Sequence, residues 1–116
     1  MNWLKLSDNE IMEIVTPIMD NLMDASTEID HEKHVRDFSD NMKGIVTKEE
    51  LEKQCKSYQA TIGFFTQREL VGGFRKKCDV RVFWKQWHSK SDDEFLAFVH
   101  IAQRNGKLEV VNASVS

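Results

Sequence analysis

The sequence predicts an α+β domain in which three N-terminal helices pack on a curled antiparallel sheet of about four strands. Apolar residues recur at spacings of three and four in the first half of the chain, and they alternate with polar residues in the second half. Helices followed by turn-linked strands are typical of a fold that places its helices on one face of an antiparallel sheet. With 116 residues, the chain has the length of one domain, so we expect a single domain over residues 1–116.

The first helix is predicted over about residues 8–26. Ser7 and Glu10 have the spacing of a capping box, in which each side chain bonds to the backbone of the other residue. Pro17 lies inside the helix and lacks the N–H group that a helix uses, so we expect a kink or a restart there. The apolar face of this helix consists of Ile11, Ile14, Val15, Ile18, Met19, Leu22 and Met23.

Two further helices are predicted before about residue 60. Asp30 caps the second helix and Gly44 ends it. Its periodic positions are His31, His34, Val35, Phe38 and Met42. Thr47 and Glu50 repeat the capping-box spacing, and they open a third helix that carries Leu51, Cys55 and Tyr58.

The second half of the chain predicts four strands, over Phe64–Lys76, Val80–His88, Glu94–Gln103 and Lys107–Val115. Gly72 and Gly73 lie inside the first strand, and paired glycines there indicate a bulge or a sharp bend. Asn105 and Gly106 are predicted to join the last two strands. A two-residue hairpin turn needs positive φ at both positions, and the pair Asn-Gly is strongly preferred there for that reason.

The last two strands are apolar on both sides. One face of the sheet must cover the helices, and an apolar outer face marks an interaction surface. We therefore expect a homodimer formed through the outer sheet face, since two-fold dimers are the commonest oligomers. His100 shares a face with Leu96 and Phe98, opposite Ala97 and Val99, and the pattern leaves open which set lines the interior.

Charge and cysteine content exclude several classes of protein. Lys and Arg number 16 against 19 Asp and Glu, for a net charge of −3, so we expect no nucleic-acid partner. No apolar run approaches the roughly 20 residues that span a bilayer, so we expect no membrane association. The N-terminus has no signal-peptide pattern, which favours a cytoplasmic location, and Cys55 and Cys78 are expected to be buried free thiols.

The order of elements, with Gly72-Gly73 in the first strand and the closing hairpin Asn105-Gly106-Lys107-Leu108-Glu109-Val110-Val111, resembles the nuclear-transport-factor-2-like (cystatin-like) superfamily. The resemblance covers about residues 8–115. It implies a curled sheet wrapped around a helix, with a conical pocket between them, and members include ligand-binding proteins and small enzymes. The isomerase branch of the superfamily uses a Tyr and acidic residues, and the last three predicted strands contain no Asp, so its catalytic residues are not transferred.

The candidate catalytic residues are histidines with one carboxylate. His100 lies in the most apolar strand, and His34 lies near Asp37 on the second helix, so either His is a candidate acid or base. His31 and His34 have a spacing that suits a metal, but no third or fourth ligand is apparent, so no metal and no cofactor are expected.

Aromatic side chains are the candidate lining of a ligand pocket. They are Trp84, Phe64, Phe74, Phe98 and Tyr58. We therefore expect a non-catalytic domain that binds a small apolar molecule or a protein partner. The alternative is a small isomerase-, dehydratase- or hydrolase-like enzyme that uses a His as acid or base in the pocket.

Overall fold

The computed structural model describes residues 1–116 and contains four α-helices followed by four β-strands. The helices are α1 (Asp8–Glu28), α2 (His31–His34), α3 (Asp40–Ile45) and α4 (Lys48–Thr61), and the strands are β1 (Phe65–Arg75), β2 (Asp79–His88), β3 (Ser91–Arg104) and β4 (Lys107–Val115). A short 3₁₀ turn over Trp3–Lys5 precedes them. The predicted α+β fold class is confirmed. No helix combines the length and the apolar character needed to cross a membrane.

The helix α1 begins at the predicted capping box. Ser7 Oγ accepts a hydrogen bond from the backbone N–H of Glu10 at 3.1 Å, and Glu10 Oε1 accepts one from the N–H of Ser7 at 3.0 Å. The helix continues through Pro17 and ends at Ile29, whose φ of 55° is left-handed. Pro17 is therefore accommodated within one continuous helix.

The prediction of one helix from His31 to Met42 is wrong. The segment forms the two short helices α2 and α3, and the residues between them pair with the edge of β4. The N–H of Val110 donates to the Asp37 carbonyl at 2.6 Å, and the N–H of Ser39 donates to the Val110 carbonyl at 3.0 Å. These bonds require extended backbone, which a continuous helix cannot provide at this point. The periodicity alone did not reveal the competing edge of the sheet.

The sheet is an antiparallel meander with the strand order β1-β2-β3-β4. The pairing of β1 with β2 shifts between Leu70 and Gly72, which places an extra residue, Val71, on β1. This bulge lies at the predicted glycine pair and increases the local twist. The Asn105-Gly106 turn is also confirmed, with φ values of 53° and 73°. The third strand begins at Ser91, three residues earlier than predicted.

The main core lies between α1 and the inner face of the sheet. Val82 and Val99 are opposite each other on β2 and β3 and are buried, at 1% and 0% exposure. This register assigns Ala97, Val99 and Ile101 to the interior, and it places Leu96, Phe98 and His100 on the outer face. Trp3, from the N-terminal turn, is fully buried in the same core.

The two cysteines are free, and their environments differ. Cys55 is buried on α4, as expected, whereas Cys78 is exposed in the turn between β1 and β2. The expectation that both thiols are buried is therefore wrong for Cys78. A two-strand turn has no second layer of structure to cover it.

Candidate functional site: a cavity between α4 and the inner sheet face

A cavity of about 560 Å³ lies at the end of the sheet where β1 and β3 begin and β2 and β4 end. The helix α4, the C-terminal half of α1 and one residue of α2 line its other sides. Ten of the nineteen lining residues are hydrophobic, so the walls are mixed. Small-molecule sites likewise combine apolar side chains with polar groups that orient the ligand.

The helical wall of the cavity carries a chain of hydrogen-bonded side chains. Ser26 Oγ on α1 lies 2.9 Å from Tyr58 OH and 3.3 Å from Cys55 Sγ, both on α4. Gln59 Nε2 donates to Tyr58 OH at 3.4 Å. Burial raises the pKa of the Cys55 thiol, so this group remains a neutral thiol at physiological pH. The wall therefore presents hydroxyl and thiol groups without charge.

The sheet wall is centred on His88, at the end of β2. Its ring lies 4.7 Å from the Phe95 ring and 5.2 Å from the Phe65 ring, measured between centroids. The side chain is 5% exposed, and its buried Nδ1 has no hydrogen-bond partner. Burial lowers the pKa of His88, because the charged imidazolium would be desolvated in this aromatic surrounding.

A second histidine, His34 on α2, also lines the cavity. Its ring meets the Phe38 ring edge-on at 5.2 Å, and its buried Nδ1 likewise has no partner. Burial, together with the nearby charge of His31, lowers the pKa of His34 to about 4. His34 is therefore neutral at physiological pH.

The predicted partner of His34 lies elsewhere. The carboxylate of Asp37 accepts a hydrogen bond from Arg36 at 3.1 Å, and it makes none with His34. Asp37 instead acts through its backbone carbonyl, which bonds to β4. The structure thus places His34 in the cavity without a carboxylate to orient its ring.

His100, the other candidate acid or base, lies on the outer face of the sheet. Its Nε2 is 3.6 Å from Asp79 Oδ1, and Arg81 Nη1 is 3.7 Å from the same oxygen. Burial and the charge of Arg81 lower the pKa of His100, although Asp79 opposes them. This cluster is separated from the cavity by the thickness of the sheet.

The five aromatic residues predicted to line a pocket are dispersed. Tyr58 lines the cavity. Trp84 is 3% exposed in the core, where the Arg68 guanidinium lies 5.1 Å from its ring. Phe64 is 47% exposed before β1 begins, and Phe74 and Phe98 lie on the outer face of the sheet with Phe83 between them.

Several cavity residues were not predicted as site residues from the sequence: Ser26, Cys55, His88 and Phe95. A signal for His88 was present, because it has the same strand parity as the apolar residues Val80, Val82 and Trp84. The other residues come from separate elements, and only the tertiary fold brings them together. No group of three or more His, Cys, Asp or Glu side chains is placed to hold a metal ion.

Comparison with solved structures identifies the fold. Bd1075 from Bdellovibrio bacteriovorus superposes with a TM-score of 0.55 at 10% identity, over 96% of this chain and 43% of that protein. A protein of unknown function with a cystatin-like fold from Nostoc punctiforme superposes with a TM-score of 0.52 at 14% identity, over 95% of this chain and 92% of that one. The chain thus spans less than half the length of Bd1075 and nearly all of the Nostoc protein.

No protein-family model matches the sequence, and no curated protein matches it. At such low identity the structural likeness concerns the fold alone. The chain is an α+β protein with a cystatin-like fold. This confirms the fold that the sequence resemblance implied.

Proposed function

We propose that this protein binds a small, predominantly apolar molecule in the cavity between α4 and the inner sheet face. The observation that carries the proposal is the combination of a cavity of about 560 Å³ with two buried imidazole nitrogens, on His34 and His88, that have no protein partner. Ligand sites have volumes of roughly 300–1,000 Å³ and combine apolar walls with a few polar groups. This cavity lies within that range.

The unpartnered nitrogens favour binding over a purely structural role. Buried polar groups in folded proteins nearly always have a hydrogen-bond partner, because a buried group without one costs about 1–3 kcal/mol. A ligand in the cavity supplies the missing partner. We propose binding without turnover, since neither His34 nor His88 is hydrogen-bonded to a carboxylate that would orient it as an acid or base.

The proposal is tested with N-phenyl-1-naphthylamine, an uncharged dye that fluoresces in apolar sites. We expect saturable fluorescence with the wild-type protein. Ala113→Phe fills the cavity from β4 and should weaken binding at least tenfold. Ala60→Phe is the matched control, because Ala60 is exposed on α4 outside the cavity. Binding that is absent, or that is equal in all three proteins, contradicts the proposal.

We also propose that the outer sheet face pairs with a second copy of the chain. Three phenylalanines form a row on this face: the Phe74 and Phe83 centroids are 5.8 Å apart, and the Phe83 and Phe98 centroids are 5.1 Å apart. Phe74 is 67% exposed, and Leu96 beside the row is 45% exposed. An exposed apolar surface of this kind marks an interaction site, because contact with a partner removes it from water.

The charges around the aromatic row favour a second copy as the occupant. Lys85 and Glu94 form an ion pair at 3.1 Å on this face, and Arg81 lies beside Asp79. Both signs are present, so two copies related by a two-fold axis can meet without net repulsion.

Sedimentation velocity tests this second proposal. The wild-type protein should sediment as a dimer, and Phe74→Glu should shift it to a monomer. Ile45→Glu changes an apolar residue on α3 that is 60% exposed, so this variant should remain dimeric. A monomeric wild-type protein at high micromolar concentration contradicts the proposal.

A further inference from the structure

His88 is the most enclosed polar side chain that borders the cavity without a hydrogen-bonded partner. Its neighbours are the aromatic rings of Phe65, Phe95 and Tyr58, with centroid distances of 5.2, 4.7 and 6.2 Å. None of these rings offers the imidazole a hydrogen bond in this structure, and Nδ1 remains buried and unpartnered. A neutral imidazole presents one N–H donor and one nitrogen acceptor. The imidazole of His88 therefore has unused hydrogen-bonding capacity at the edge of the cavity.

The buried part of the cavity lining carries no permanent charge. The only permanently charged lining residues are Glu50 and Lys53, which have opposite signs and are both exposed on α4. The remaining polar lining consists of hydroxyls, an amide, a thiol and two histidines that burial keeps neutral. Burying a carboxylate or an ammonium group without an opposite charge is very unfavourable.

The aromatic side chains favour a flat ligand. The Tyr58 and Phe65 rings are stacked at 5.1 Å with an angle of 27° between their planes, and both side chains add aromatic surface to the lining beside His88. Aromatic and alicyclic rings pack well on such surfaces.

We infer that the ligand is an uncharged ring compound with a single hydroxyl or carbonyl group, and that the His88 imidazole binds this oxygen. The inference rests on the proposed binding function and assigns its substrate class and anchoring residue. The ring lies against Tyr58, Phe65 and Phe95. Ser26 and Tyr58 present their hydroxyls from the helical wall, where they already bond to each other.

Displacement of N-phenyl-1-naphthylamine by three probes tests the inference. The probes are naphthalene, 2-naphthol and 2-naphthoate, which share one ring system and differ in the polar group. We expect 2-naphthol to bind about three- to tenfold more tightly than naphthalene, the gain from one hydrogen bond of typical strength. 2-Naphthoate should bind more weakly than 2-naphthol.

The variant His88→Phe should remove the preference for 2-naphthol over naphthalene while both still displace the dye. His100→Phe is the matched control, because His100 lies on the outer face, and it should keep the preference. If His88→Phe does not fold, the ¹⁵N chemical shifts of the His88 ring in the wild-type protein provide a second measurement. These shifts should change with saturating 2-naphthol and stay constant with naphthalene.

The outcomes separate this inference from the proposed function. Equal affinity for naphthalene and 2-naphthol, or unchanged His88 shifts, overturns the role of His88 and leaves the cavity as a binding site. Tighter binding of 2-naphthoate overturns the uncharged ligand class. Failure of the dye itself to bind, or binding that Ala113→Phe does not weaken, overturns both proposals.

Discussion

The phenol oxygen of Tyr58 lies 2.9 Å from the Oγ of Ser26 and joins α4 to the C-terminal half of α1. Gln59 adds to this connection, because its Nε2 donates to the backbone carbonyls of Ser26 at 3.3 Å and Thr27 at 3.2 Å. The helix α4 buries only Leu51 and Cys55. Its position over the cavity therefore depends on these polar contacts as much as on apolar packing.

Tyr58→Phe is expected to lower the free energy of unfolding by about 1 kcal/mol, the usual contribution of one partly buried hydrogen bond. The substitution keeps the ring and leaves the Ser26 hydroxyl without its Tyr58 partner. Urea denaturation measures the change. Ser57→Ala, at the exposed neighbouring position, serves as the control and should be neutral. A Tyr58→Phe protein as stable as the wild type would show that the bond does not hold α4.

Replacement of two glycines by alanine should change the stability of the protein in opposite directions. Gly63 has φ +88°, and a Cβ built there lies 2.1 Å from Ser89 Oγ, so Gly63→Ala should destabilise the protein by about 1–3 kcal/mol. Gly44 lies in α3 with open space around it, so Gly44→Ala should stabilise it by about 0.5–1 kcal/mol. Thermal unfolding of both variants measures the two effects. Melting temperatures that shift in the same direction would contradict the prediction.

The N-terminal turn is expected to contribute to the stability of the whole fold through Trp3. This residue is 0% exposed, whereas its neighbour Leu4 is 55% exposed. Trp3→Ala should cost about 3–5 kcal/mol, because it leaves a large hole in the core. Leu4→Ala should change the stability by less than about 0.5 kcal/mol. Chemical denaturation distinguishes the two, and similar losses would argue against anchoring by Trp3.

The stability of the protein should fall with decreasing pH, in part because of His34. Its pKa is about 4 in the folded state against 6.5 for an ordinary His. Between these values the unfolded chain binds a proton that the folded chain does not, so the free energy of unfolding decreases as the pH falls. The contribution of His34 is fully present above about pH 6.5. At about pH 4 the loss of this contribution should lower the free energy of unfolding by on the order of 2–3 kcal/mol.

Unfolding free energies of His34→Gln measured from pH 7 to pH 4.5 test this assignment. The variant should show a shallower dependence on pH than the wild type. His100→Gln is the control; burial lowers the pKa of His100 as well, but by less than that of His34, so it should flatten the curve less. An unchanged slope in His34→Gln would mean that another group titrates.

Local signals predicted the elements that depend on local physics. The capping box of Ser7 and Glu10 starts α1, and the Asn105-Gly106 pair forms the turn between β3 and β4. Both signals act within four residues, so no distant contact can easily override them. The helical periodicity from His31 to Met42 was overridden, because the edge of β4 offers hydrogen bonds to the backbone at Asp37 and Ser39.

The candidate site was predictable only in fragments. Tyr58 and His34 were singled out as separate candidates, and the structure brings both to one cavity. Phe74 and Phe98, assigned to a pocket, lie on the other side of the sheet. An aromatic residue on a two-sided apolar strand fits either face, and its own sequence neighbourhood does not distinguish them.

The sequence by itself determined the α+β class, the number of strands and the turn between β3 and β4, because capping, periodicity and turn chemistry are local. The tertiary structure alone decided which face of β3 is buried and which residues meet at the cavity. Those choices depend on the register between strands and on the packing of α1 and α4 against the sheet. A register shift of one residue would exchange Val99 and His100 between the core and the outer face.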